Sequence, residues 1–188
     1  MSERFEFQIS KKQLIINSVI VLLGILVASI FLRFTSEKLL QHFGEQLENY
    51  FIFANFWQII VLLFQEYFWI LLIISLSVFP YGKLFASIII FYKGFSIGVV
   101  SSVFCRQFGV QALKYIGLLI LPQNLLYIFS LCLAAQISAE IALNTVLRGQ
   151  HGRVIITSKK AYIFSFIITA VAVVVESLGI PMIYNIFF

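Results

Sequence analysis

Aspartate is absent from this 188-residue chain, and charge of any kind is scarce: thirteen Lys and Arg and eight Glu amount to 11% of residues. Soluble domains carry roughly 25% charged residues, so an ordinary water-facing surface is excluded. Cysteine is rarer still, with only Cys105 and Cys132, each beside apolar residues. They read as small buried hydrophobes, not as a disulfide framework or a metal site. Two histidines, His42 and His151, lie in polar segments far apart in the chain. There is no His-Glu-x-x-His, no Gly-x-Ser-x-Gly, no phosphate-cradling glycine loop and no membrane-embedded Ser/His or Asp pair. The expectation is a protein that is not an enzyme, with no catalytic residue, cofactor or metal. Proline occurs only at positions 80, 122 and 181, so each one should mark a structural event.

What the chain has instead is apolar residues, 61% of the total, with a mean hydropathy of +1.02. They are gathered in runs, and about 18 or more uncharged apolar residues suffice to cross a hydrocarbon core about 30 Å thick. Backbone groups find no water there, and the runs lack the alternation of barrel strands, which leaves helices. The predicted fold is all-α: a polytopic membrane helical bundle forming one integral membrane domain over residues 1–188. About five transmembrane helices are expected, over residues 14–32, 57–79, 84–105, 124–147 and 162–184. The charged residues 1–13 precede the first run, but no small-residue cleavage site follows, so the run is kept as a mature span and not a signal peptide. After it, Leu39, Leu40, Phe43, Leu47, Tyr50 and Phe51 alternate with charged and amide residues, predicting an amphipathic helix over residues 35–53. Pro80-Tyr81-Gly82 makes a tight turn between the second and third spans.

The tetrad Leu121-Pro122-Gln123-Asn124 places a helix breaker and two amides inside one of the most apolar stretches. An unpaired buried amide costs about 1–3 kcal/mol, so the tetrad needs a structural reason. The stretch around it is also too long for one crossing. The expectation is a short re-entrant segment over residues 109–121, broken at Pro122, which then occupies the first turn of the fourth span.

Lysine and arginine set the orientation. With the amino terminus in the cytoplasm, eight fall inside (Arg4, Lys11, Lys12, Lys83, Arg148, Arg153, Lys159, Lys160) and four outside (Arg33, Lys38, Arg106, Lys114). The positive-inside rule then places the carboxy terminus outside. The net charge of +5 is thus explained by membrane lipid, and no nucleic-acid partner is implied.

Glu66, Lys93 and Glu176 fall deep inside apolar runs, where an ionisable side chain costs roughly 2.5–3.5 kcal/mol and calls for a partner. Glu66 lies 14 residues before Pro80 and Lys93 13 after it, so an antiparallel hairpin sets them at one depth and predicts an ion pair. Glu176 lies 15 residues past Ala161, or about 22 Å along its helix, level with Gln123 and Asn124. Those amides are candidate partners for Glu176 or for the backbone freed by Pro122. Gln136 and Glu140 share a helix face near the inner end, within reach of Lys83. Gly94 and Gly98 form a Gly-x-x-x-Gly step that admits a closely packed neighbour. All of these are intramembrane structural or functional candidates, along with the second helix breaker, Pro181.

The ordered set Gly82, Tyr92-Lys93-Gly94, Gly98, Leu121-Pro122-Gln123-Asn124, and Glu176 followed by Pro181 resembles the stage II sporulation protein M family. The likeness runs over residues 79–135, with a weaker tail in the last span; residues 1–78 fit no family pattern. It implies a multi-pass cell-membrane protein acting in forespore engulfment, a scaffold that holds the wall-degrading stage II sporulation proteins D and P at the septal membrane. A small-solute or lipid permease component is the rival reading, because four ionisable residues and a broken helix could line a path, although no internal repeat supports it. A homo-oligomer is left open.

Overall fold

The computed structural model describes the backbone of residues 11–35, 56–77, 79, 81–148 and 151–187. All regular elements among them are helical. The helices are α1 (Lys11–Arg33), α2 (Phe56–Leu76), α3 (Gly82–Phe108), a 3-10 turn (Gly109–Gln111), α4 (Ala112–Tyr115), α5 (Leu121–Arg148), α6 (His151–Val174) and α7 (Ile180–Phe187). The expected amphipathic helix over residues 35–53 and Pro80 lie outside the described residues.

Four apolar helical stretches are long enough to cross a membrane: Lys11–Arg33, Ile59–Leu76, Gly82–Ala142 and Ala161–Tyr184. The third spans 61 residues, about 90 Å if straight and three times the hydrocarbon thickness. It therefore has to double back, and it does so at Gly109. This residue has φ 55°, a backbone region favourable only to glycine, and its N–H caps α3 on Cys105 O. Phe104, Phe108 and Tyr115 stack across the reversal, with centroids 5.6 Å (104–108), 5.5 Å (104–115) and 4.4 Å (108–115) apart.

This differs from the expected re-entrant segment over residues 109–121. The chain reverses before that segment, and from Ala112 onward the backbone stays helical through Pro122. The helix absorbs the proline by widening: Ile116–Ile120 is a π turn in which Leu121 N–H bonds Ile116 O, five residues back. The last helix does the same before its own proline, with Val175–Gly179 as a π turn and Ile180 N–H on Val175 O. Each π turn ends two residues before a Pro, so the register has already slipped where the donor is missing.

Large apolar side chains such as Leu22, Phe64, Phe85, Leu125 and Ile167 point outward and are exposed, as a lipid-facing surface requires. The interior is built on α5, whose Leu131–Ile137 side chains are all buried against α2, α3 and α6. α1 packs almost wholly on α3.

Candidate functional site

The two π turns bring the polar residues together. They lie in antiparallel helices that pack along their length, so Pro122 and Pro181 mark the same end of the bundle, where a cavity of about 360 Å³ opens between α2, α3, α5 and the second π turn. Glu66 from α2, Lys93 from α3, Gln123 and Asn124 from α5 and Glu176 from the π turn all line it. Leu62, Ile97, Val100 and Ile120 supply the apolar wall between them.

Inside the cavity the Glu66 and Lys93 side chains meet at 2.6 Å between Nζ and Oε1, with Glu66 buried and Lys93 partly buried. This is the pair that depth counting from Pro80 predicts. Lys93 Nζ also lies 4.4 Å from the centre of the Tyr127 ring, a cation–π contact. The Tyr127 hydroxyl in turn donates to Glu176 Oε2 at 2.7 Å. One chain of contacts, Glu66, Lys93, Tyr127, Glu176, thus ties four helices across the cavity.

The two amides serve their own helix. Gln123 Nε2 donates to Leu119 O, and Asn124 Nδ2 donates to Ile120 O at 2.7 Å. Both acceptors lie within the π turn, so of the two roles open to these amides the structure gives them that of stabilising the widened backbone. Gln123 is 4% exposed, and its Oε1 has no hydrogen-bond partner.

The other sequence candidates lie elsewhere. Gly94 and Gly98 face α1 and are buried. A Cβ on Gly98 would come within 2.7 Å of Ala28 Cβ and 2.8 Å of Ile25 Cα, the close helix approach that the Gly-x-x-x-Gly step suggests. Gln136 is buried toward the far end of α5 and hydrogen-bonds Glu140 one turn on, well away from the cavity. Pro122 and Pro181 are half-buried.

Two features were missed at the sequence level. Tyr127, the centre of the contact chain, is an aromatic in an apolar run and passes for core; its signal is that it falls four residues after Gln123, on the same face. The second is a buried hydroxyl cluster in which Ser130 Oγ meets Ser165 Oγ at 2.8 Å and Thr169 Oγ1 at 2.7 Å, joining α5 to α6. Ser165, Thr169 and Glu176 recur at helical spacing, opposite Gln123, Tyr127 and Ser130, so each helix carries a polar stripe toward the other.

Among the described residues no cluster of three or more His, Cys, Asp or Glu could hold a metal ion. In comparison with known proteins, the family model described as stage II sporulation protein M matches residues 16–188, from within α1 to the end of the chain, and so takes in residues 16–78, which the sequence motifs left outside the likeness. No curated protein and no solved structure matches.

Proposed function

The chain belongs to the stage II sporulation protein M family, and from that membership we propose that it is a non-enzymatic scaffold of the sporulating cell's membrane. The family and the four apolar helical stretches make it a multi-pass membrane protein. In the proposed arrangement it crosses five times, because α3 and α5 each supply a span on either side of Gly109. The amino terminus is cytoplasmic and the carboxy terminus outside, as the eight-to-four division of Lys and Arg favours. Its work is to hold peptidoglycan-degrading partners, the stage II sporulation proteins D and P, at the septal membrane during engulfment.

The observation that carries this reading is the use made of the intramembrane charges. Glu66, Lys93 and Glu176 are engaged with one another through Tyr127, and so bind helices together. Buried polar contacts that fix one helix arrangement suit a rigid platform. One observation favours the second reading, a small-solute or lipid permease component: a cavity with charged walls lies at the level of two π turns, and irregular helices at depth also build transport sites.

Purification of the full chain from sporulating cells, with recovery of the wall hydrolases, tests the first reading, and solute flux in vesicles containing the pure protein tests the second. The scaffold reading expects co-purified hydrolases and no flux above empty vesicles. Flux with no recovered hydrolase would replace it with the permease.

A further inference from the structure

Two exposed hydroxyls of the bundle bond their own helix: Ser75 donates to Leu71 O and Ser87 to Lys83 O, each four residues back, which satisfies the group in hydrocarbon. Gln65 and Ser96 do not follow them. Both are exposed, both line the cavity, and neither makes a hydrogen bond to another described residue. Gln65 stands between the exposed Phe64 and Phe68 on α2, and Ser96 continues the exposed stripe of Phe85, Ile88 and Tyr92 on α3, so the two mark a mouth toward the bilayer. That mouth is deep, because Gln65 lies about 15 Å along α2 from either end. Behind it Gln123 is buried, and its Oε1 has no hydrogen-bond partner. An unmatched buried acceptor is costly, and a donor from outside the chain would relieve it.

We propose that this cavity binds the hydroxyl head of a neutral lipid, of the diacylglycerol class, which enters from the bilayer between Gln65 and Ser96. The charged groups already have partners within the protein, Glu66 with Lys93 and Glu176 with the Tyr127 hydroxyl. What is left to bind a ligand is neutral. A hydroxyl both donates and accepts, so it can give its hydrogen to Gln123 Oε1 while accepting one from the Gln65 amide or from Ser96. A phosphate or ammonium head would carry its charge to mid-depth, where charge is expensive. A free polyol would leave the apolar wall of Leu62, Ile97, Val100 and Ile120 unused. The volume, about 360 Å³, is many times the roughly 10–15 Å³ that one water needs, and admits the head with the first carbons of its chains. A platform and a permease can each hold such a lipid, so failure to bind it would leave both readings of the function standing.

The test places the full chain in phosphatidylcholine nanodiscs, with 1,2-dioctanoylglycerol as probe and with trioctanoylglycerol and free glycerol as comparisons, read by thermal unfolding. Dioctanoylglycerol should raise the melting temperature in a saturable way, while the triester, which lacks the hydroxyl, and glycerol, which lacks the chains, at equal concentration should not. Ser96→Ala removes a hydroxyl that bonds nothing in the protein, and should weaken the apparent affinity about fivefold, the loss of one hydrogen bond. Gln123→Leu removes the buried acceptor and should abolish the shift; because it also loses the bond to Leu119 O, the quantity read is the change on adding lipid and not the starting melting temperature. Ser96→Phe keeps Gln123 and both charges of the ion pair and fills the cavity from its exposed mouth, so it should abolish the shift in a protein that still folds. Ser75→Ala, at an exposed hydroxyl away from the cavity, should leave the shift unchanged. No shift, an equal shift from trioctanoylglycerol or from glycerol, or full binding by Ser96→Phe would each overturn the proposal.

Discussion

Lys93 and Gly94 are neighbours in the chain, yet they face two seams built on opposite principles. Gly94 belongs to the contact between α1 and α3, where backbones touch. A Cβ on Gly24 would lie 2.5 Å from Phe91 O, and one on Gly94 would come within 2.9 Å of Val21 Cα. Lys93 belongs to the other face of α3, where helices stand apart around a cavity and are joined by charge and hydrogen bonds. In hydrocarbon, lipid tails are as apolar as leucine, so helices associate by close packing or by polar contacts. α3 uses the first toward α1 and the second toward α2, α5 and the last helix. The glycine seam should therefore tolerate chemical change but no added volume, and the cavity seam the reverse.

The largest effect is expected from Lys93→Ala. It leaves Glu66 buried with no opposite charge, and removing one member of a buried pair costs about 3–5 kcal/mol. Unfolding by increasing denaturing detergent should register that loss. Exchanging the pair, Glu66→Lys with Lys93→Glu, should recover much of it, because opposite charges again meet at one depth. A double exchange no better than the single variants would show that the seam depends on position more than on charge.

Gly94→Ala comes next. It adds one methyl group against the Val21 backbone, which cannot rotate away, and overpacking of this kind costs about 1–3 kcal/mol. Gly117→Ala is the matched comparison. Nothing lies within 4 Å of its added Cβ, and it is helical, so alanine there should be neutral or stabilising by up to about 1 kcal/mol. Equal losses at the two glycines would remove the distinction between a packed seam and glycine as such.

Pro122→Ala should be smaller again. Proline in a helix interior ordinarily costs about 3 kcal/mol, but here the π turn has already shifted the register and the Gln123 and Asn124 amides cover nearby carbonyls. Restoring the donor should change stability by less than about 1 kcal/mol in either direction, well under that interior penalty. Amide exchange over residues 117–123 would report whether the π turn persists. A gain approaching the full interior penalty would mean that the turn does not relieve the proline.

These seams were legible in the sequence to different degrees. The all-helical fold with membrane-long apolar stretches, the Glu66–Lys93 level and the Gly94–Gly98 contact followed from hydropathy, turn position and spacing, all of which are local properties. The reversal at Gly109 was not legible, because apolar residues continue on both sides and a single glycine carries no mark of the positive φ it will adopt. Pro122 misled for a physical reason. Its missing N–H predicts a break, whereas a π turn two residues earlier lets the helix continue, and nothing in the composition of residues 116–120 distinguishes a π turn from an α turn. Tyr127 was hidden by its double character, since its ring suits an apolar core and only its partners reveal the hydroxyl.

Ser130 offers the smallest expected effect and the finest test of the comparison, because it shares a property with each seam. It is small and fully buried, like the glycines, and hydrogen-bonded across helices, like the cavity residues, but it carries no charge. Interhelical hydrogen bonds between neutral groups in membrane proteins average about 0.6 kcal/mol. Ser130→Ala keeps the volume and removes the hydroxyl, and should cost about that much. Ser130→Val keeps the site apolar and adds bulk, and should cost about 1–3 kcal/mol if tight packing governs this contact as it does the glycine seam. If alanine proves as damaging as valine, hydrogen bonding would govern α5 and α6 throughout, and charge would cease to be what sets the cavity apart.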